Sequence, residues 1–256
     1  FNENLGALEF YTGVEWRAVN SYVDMGNRGR GVIGGGATPT DNNKSDRVES
    51  IQIQTLGNAT DFGILTVARR YVTSCASNTR GIFTGGITPS MSDVIDYVTI
   101  ASAGNATDFG NLEGARAAKA GASSQTRGIF GGGYQPSAKN TMEYVTIATT
   151  GNSINFGDMT TSGYYGSGCS SPVRAMFQGN TNNDSYAKYS YLTISTLGNA
   201  VEWGEPNFKR TAASMASNSV RGINAGGYNS LSPWFGFVVN SIEYITIASN
   251  GSTEYF

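Results

Sequence analysis

Short apolar runs recur along the chain, each interrupted by single polar residues and closed by Gly, Ser, Thr or Asn. Five of them share one pattern: Val48-Glu-Ser-Ile-Gln-Ile53, Ile95-Asp-Tyr-Val-Thr-Ile100, Met142-Glu-Tyr-Val-Thr-Ile147, Tyr189-Ser-Tyr-Leu-Thr-Ile194 and Ile242-Glu-Tyr-Ile-Thr-Ile247. β-Branched and aromatic residues with polar residues between them fit a pleated, half-buried surface, so each run predicts a strand. No stretch sustains apolar residues at a 3.6-residue period, and no helix is expected.

Roughly twenty residues ahead of each run stands a second shared segment: Arg30-Gly-Val-Ile-Gly-Gly-Gly36, Arg80-Gly-Ile-Phe-Thr-Gly-Gly86, Arg127-Gly-Ile-Phe-Gly-Gly-Gly133, Arg174-Ala-Met-Phe-Gln-Gly-Asn180 and Arg221-Gly-Ile-Asn-Ala-Gly-Gly227. The arginines are 50, 47, 47 and 47 residues apart. After each strand-like run come a Gly turn and an aromatic, Phe62, Phe109, Phe156, Trp203 and Phe256. Before each arginine lie small residues, such as Ser74-Cys-Ala-Ser77 or Gly121-Ala-Ser-Ser124. Four short strands per unit are therefore predicted. The Gly-Gly pairs close the second, where the backbone must turn tightly or pack closely. A four-stranded repeat of about 40–50 residues cannot bury its faces alone and is the signature of a propeller blade.

The expected fold is all-β: a five-bladed β-propeller over residues 20–256, preceded by a short N-terminal β arm over 1–19. The arm reads as two strands around Thr12-Gly13, and its Val14-Glu-Trp16 echoes Val201-Glu-Trp203. It is either the outer hairpin of an incomplete blade or an arm that docks on the ring. Closure is expected from the arm or from packing of the first blade on the last. The alternative is a sixth blade whose inner strands lie beyond this chain.

The unit resembles the Kelch repeat, with small residues in strand one, an apolar run closed by Gly-Gly in strand two, an apolar-Tyr strand three and an aromatic opening strand four. The family's strand-four Trp is Phe in four units, and only Trp203 matches. The resemblance implies that strand one lines the central channel, where few blades leave room only for small side chains. Runs such as Thr126-Arg-Gly-Ile-Phe-Gly-Gly-Gly133, followed by Met142-Glu-Tyr-Val-Thr-Ile-Ala-Thr-Thr-Gly-Asn152, also resemble repeats in tail and capsid fibre proteins of tailed bacteriophages of aquatic bacteria, as does the arm.

Composition narrows the chemistry. The chain has no histidine, which removes Ser-His-Asp and Cys-His machinery, His-ligated zinc or copper and any histidine proton shuttle. Kelch-type copper oxidases need histidine ligands, so that branch is closed. Lys+Arg number 17 and Asp+Glu 19, a net charge of −2, so no strong field is available to attract nucleic acid or an anionic membrane. Glycine supplies 34 of 256 residues, against an ordinary share of about 7 %. No apolar run approaches the roughly 18 residues of a spanning helix. No signal peptide is visible, and a chain opening at Phe1 is expected to be a processed product or a fragment of a longer one. Cys75 and Cys169 each stand five residues before a repeat arginine, where other units carry Met25, Ala122 and Ala216. They are expected to be small buried residues rather than reactive thiols or a disulfide.

The Gly-Gly-Gly runs at 34–36 and 131–133 lack the Lys-Ser/Thr ending and the helix of a phosphate loop. Arg30, Arg80, Arg127, Arg174 and Arg221 offer five equivalent guanidinium groups that could ring one face and take an anion or carboxylate ligand. The plainer reading pairs them with loop carbonyls or with strand-four carboxylates such as Asp61, Asp108 and Glu202. Asn155 and Tyr255 at the same position of the other units argue against a uniform salt bridge. The loop between strands two and three varies most. Oxygen-rich stretches at Asp41 to Asp46 and Asn180 to Asp184 miss the calcium-loop pattern, so no metal is expected. Trp234, Phe235 and Phe237, close together in one such loop, either fold over the ring or form a docking patch for a partner. No carboxylate pair stands out for glycoside hydrolysis.

The expected function is a non-catalytic, cofactor-free virion component, a phage tail or capsid appendage. Its expected partners are other virion proteins and a host-surface glycan or receptor, within a symmetric assembly, with neither nucleic acid binding nor membrane insertion. The alternative is a lectin-like propeller of a secreted or cell-surface protein, and a third, less favoured reading is a polysaccharide-degrading enzyme.

Overall fold

The computed structural model describes residues 29–37, 44–178, 188–207, 210–229 and 237–256, and the backbone of two short strands, Glu9–Tyr11 and Trp16–Ala18. Every element among the described residues is a strand, and five small antiparallel sheets are arranged as a five-bladed β-propeller. Blade 2 sets the pattern, with strands Thr73–Ala76, Arg80–Thr84, Val94–Thr99 and Thr107–Asn111 hydrogen-bonded in chain order. Blade 3 uses Ala120–Ser123, Arg127–Gly131, Ser137–Thr146 and Ile154–Gly163. Blade 4 uses Ser167–Ser170, Arg174–Gln178, Tyr189–Thr193 and Val201–Gly204, and blade 5 uses Ser214–Ser217, Arg221–Ala225, Ile242–Thr246 and Glu254–Tyr255. Blade 1 is described for strands two to four, Arg30–Gly34, Arg47–Gln52 and Thr60–Ile64. The repeat arithmetic of the sequence thus sets the blades, and each repeat arginine opens strand two.

Because side chains alternate across a strand, each blade has two apolar faces that only neighbours can cover. Ile82, Ile95, Phe109 and Leu112 of blade 2 pack against Phe130, Val145 and Ile147 of blade 3 in one cluster. The same positions form the clusters between blades 1 and 2, 3 and 4, and 4 and 5. No such cluster among the described residues joins blade 5 to blade 1. There Ile33 is 55 % and Ile53 63 % exposed, and Phe256 on blade 5 is 74 % exposed, whereas the other four strand-four aromatics are buried.

Strand one of blades 3, 4 and 5 leans on its predecessor. Ser123, Ser170 and Ser217 donate their hydroxyls to the backbone oxygens of Ala76, Ser123 and Ser170 at 2.7, 2.7 and 2.8 Å. A Cβ at Gly121 would lie 2.4 Å from the Ser74 carbonyl oxygen, so close packing of backbones accounts for the small residues here. The Gly-Gly pairs have the role expected of them. Gly85 and Gly86 adopt φ of +62° and +104°, and the Gly86 amide donates to the Arg116 carbonyl of the next blade at 2.9 Å.

Candidate binding site at the axial mouth

The propeller has two chemically distinct ends. At one, strand two begins and the repeat arginines act as staples. Arg80, Arg127 and Arg174 each donate from Nη1 to the carbonyl of Ile147, Ile194 and Ile247, in the following blade, at 2.9 Å. Arg30 reaches Ile100 at 2.7 Å and Ala101 at 3.2 Å. Each guanidinium from blade 2 onward also lies over a tyrosine of its own blade: Arg80 on Tyr97, Arg127 on Tyr144, Arg174 on Tyr191 and Arg221 on Tyr244, at 4.4, 4.9, 4.2 and 4.7 Å from the ring centres. The arginines thus stand one to a blade at one end, with carbonyls and rings as partners, while Glu202 binds Lys188 at 2.8 Å instead. Of the five, Arg221 has the tyrosine but no hydrogen bond to a following blade among the described residues.

At the other end, the chain enters strand one through a residue of positive φ in each of four blades: Tyr71, Ala118, Tyr165 and Ala212, at 56°, 55°, 56° and 52°. Non-glycine residues rarely adopt this conformation, and here neighbours enforce it. The amides of Ala118, Tyr165 and Ala212 donate to the carbonyls of Tyr71, Ala118 and Tyr165 at 3.1, 2.8 and 3.2 Å, making a collar around the axis. The collar encloses a mouth of about 190 Å³. Around it runs an unbroken chain of aromatic rings in edge contact, Tyr134 to Tyr164 to Tyr165 to Tyr71, with centroid distances of 5.4, 5.0 and 5.5 Å. Arg70 lies 5.3 Å over the Tyr71 ring. Burial and a hydrogen bond with Tyr71 hold the Tyr165 phenol above its ordinary range. Tyr71, Tyr134 and Tyr165 are all exposed.

Beneath the mouth sits Lys119, buried, its ammonium nitrogen 5.1 Å from the Phe130 ring and without a hydrogen-bond partner among the described residues. Burial, with Arg116 and Arg69 nearby, pushes its pKa well below the ordinary lysine value and favours the neutral amine. Those two arginines belong to buried ion pairs that lock successive blades: Arg69 with Asp96 at 2.5 Å, Arg116 with Glu143, and Arg210 with Glu243 at 2.6 Å. Arg69 also donates to the carbonyls of Gly85 and Val94 at 3.0 and 2.7 Å. Blade 4 substitutes a neutral contact at the acid's position, Ser190 against Thr160 at 2.5 Å.

Reading the sequence alone missed both the ion pairs and the tyrosine mouth. The signal for the pairs was an acid in the middle of strand three, Asp96, Glu143 and Glu243, where a buried strand would carry an apolar residue. Cys75 and Cys169 are free thiols, and burial pushes both up to about 12. Their sulfurs lie over Gly128 and Gly222, which explains the glycine after two of the repeat arginines: a Cβ would sit 2.4 and 2.6 Å from sulfur. Trp234 and Phe235 lie outside the described residues, as do residues 41–43 of the stretch at 41–46 and all of 180–184. Phe237 opens the short strand Phe237–Val238, which pairs with Tyr228–Asn229 at the mouth end, and its side chain is also outside them. Among the described residues no group of His, Cys, Asp or Glu could hold a metal ion. No protein-family model and no curated protein matches the chain.

Proposed function

We propose that the protein is a non-catalytic attachment module of a virion, a phage tail or capsid appendage that engages its partner through the axial mouth. The observation carrying this reading is the row of exposed tyrosines, fixed edge to edge on a rigid collar. Tyrosine brings large contact area with little conformational entropy to lose, and its hydroxyl keeps such a patch compatible with water. The described ends of two of the variable loops between strands two and three, Ala37 bridged to Lys44 and Tyr228–Asn229 paired with Phe237–Val238, lie toward the same end, where sequence can differ between partners without disturbing the blades. The virion setting is supported by the likeness of the repeats to phage fibre proteins.

The same tyrosines favour a second reading, a lectin-like propeller of a secreted or cell-surface protein, since phenol rings stack on sugar faces. Two experiments separate them. Mass spectrometry of purified phage particles finds this polypeptide under the first reading, and its absence from particles of the phage that encodes it defeats that reading. A glycan array with purified protein finds a ligand under the second. In either case Tyr71→Ala with Tyr165→Ala is expected to weaken binding by roughly 30-fold, about 2 kcal/mol. Undiminished binding by the folded variant would remove the mouth from the account.

A further inference from the structure

We propose that Lys119 is a site of reversible modification by carbon dioxide, its amine carried between blades 2 and 3 as a carbamate whose oxygens accept hydrogen bonds from Thr84 and Arg116. Three buried polar atoms at this boundary have no hydrogen-bond partner among the described residues: Lys119 Nζ, Thr84 Oγ1 and Arg116 Nε. Buried polar atoms are nearly always paired, so such a group points to a partner that the polypeptide does not supply. The strand register places them together. Thr84 lies opposite Ile95, which packs against blade 3. Ala120 packs toward blade 4, so Lys119, one residue earlier, turns the other way, toward blade 2 and the Phe130 ring. Thr73, opposite Thr84, donates its hydroxyl to the Lys119 carbonyl at 2.9 Å. Gly85, next to Thr84, leaves room for the lysine: a Cβ there would lie 3.4 Å from Lys119 Cε. Arg116 is held on the same side by Glu143, which stands opposite Phe130.

Other blades put Val72, Gly166 and Ala213 where blade 3 has Lys119. At the boundary of blades 4 and 5, Gln178 stands in the position of Thr84, and it is paired with the Arg210 carbonyl at 3.2 Å and with Asn224 at 2.8 Å. The charges around Lys119 favour an anion at its nitrogen. Arg116 with Glu143 lies on the same side, Arg69 with Asp96 lies across blade 2, and the Cys75 thiol is nearby, held protonated by burial. Burial and the two arginines disfavour an ammonium, which leaves an amine with its lone pair available. The positive potential that opposes an ammonium stabilises a carbamate. In the reaction the nitrogen lone pair attacks the carbon of carbon dioxide and forms one N–C bond. One C–O π pair becomes an oxygen lone pair, and one N–H proton leaves to solvent. No oxidant or cofactor is consumed, and loss of carbon dioxide with return of the proton restores the amine.

The test exposes the full chain to isotope-labelled bicarbonate and dissolved carbon dioxide at neutral pH and reads carbamate carbon by NMR. An N-terminal amine, with an ordinary pKa of about 7.7–8.0, reacts as well, so the readout is a difference between variants. One carbamate resonance is expected in the parent and absent from Lys119→Met, and the N-terminal one stays in both. Trapping with triethyloxonium and peptide mass spectrometry should place the ethylated group on Lys119. Thr84→Val, which keeps the shape and drops the hydroxyl, is expected to weaken uptake roughly fivefold. Saturating carbon dioxide is expected to raise the thermal midpoint of the parent by about 2–4 °C over carbon-dioxide-free buffer of the same pH and ionic strength, and to leave that of Lys119→Met unchanged. Identical resonances in the parent and in Lys119→Met would overturn the proposal, as would full uptake by Thr84→Val or a midpoint of the parent that does not respond to carbon dioxide.

Discussion

Blades 1 and 3 share one pattern of apolar and polar positions in strands two and three, yet their leading faces meet different fates. In blade 3, Phe130, Val145 and Ile147 are almost wholly covered by blade 2. In blade 1, Ile33, Ile51 and Ile53 stand in the same places and are open to solvent, although the opposite face, with Val48, Phe62 and Leu65, is buried against blade 2. Residue type does not set this difference. A blade is stable to the extent that something flat and apolar lies on both sides of it, as in other repeat arrays where neighbour interfaces supply much of the stability. The arginine staple follows the same rule: it closes onto a carbonyl wherever a described blade follows, and Arg221 has only its tyrosine among the described residues.

The contrast is sharpest in the core. Phe130→Ala is expected to destabilise the fold by about 3–5 kcal/mol, and Ile33→Ala by less than about 1 kcal/mol, in chemical denaturation of the full chain. Equal losses would break the comparison. Breaking one buried ion pair is of similar size. Arg210→Met is expected to lower stability by about 3–5 kcal/mol by stranding Glu243, and adding Glu243→Leu should restore most of it.

A smaller effect has a definite pH signature. Lys119 titrates lower in the folded chain than in the unfolded one, so between those two values the unfolded state binds the extra proton. Stability contributed through this group therefore rises with pH and is restored only near the ordinary lysine range of about 10.4. Lys119→Met is expected to raise stability at pH 7 by about 1 kcal/mol or more, with the advantage shrinking as the pH approaches 10. A variant no more stable than the parent at pH 7 would mean that the amine is charged and solvated. Smallest is the staple itself. Arg127→Lys, which loses the planar stack on Tyr144, should lower stability by about 1 kcal/mol, and Arg221→Lys by about half as much, measured as shifts in thermal midpoint.

Most of this architecture could be read from the chain because a blade is a local object. Its four strands, its glycine turn and its aromatic all fall within one repeat, and spacing alone sets the count of five. What the sequence hides is whatever joins one blade to the next. Asp96 is visible as a polar residue in an apolar strand, but its partner Arg69 precedes it by 27 residues and carries no repeat label in blade 4. Tyr71 and Tyr165 are 94 residues apart with Ala118 at the equivalent position between them, and only the narrow axis brings their rings to 5.5 Å. The repeat arginines were legible as a set, but their carbonyl partners are main-chain atoms without any sequence signature. The exposure of Ile33 and Ile53 was invisible for the opposite reason, since their sequence looks like that of every buried counterpart.

Native-state hydrogen exchange, resolved strand by strand, asks directly whether neighbours set the stability of a blade. Amides of Met142–Thr146 in blade 3 are predicted to exchange only with global unfolding, at least about tenfold more slowly than those of Arg47–Gln52 in blade 1, since tenfold corresponds to about 1.4 kcal/mol of local opening. Equal protection of the two strands, or faster exchange in blade 3, would contradict it.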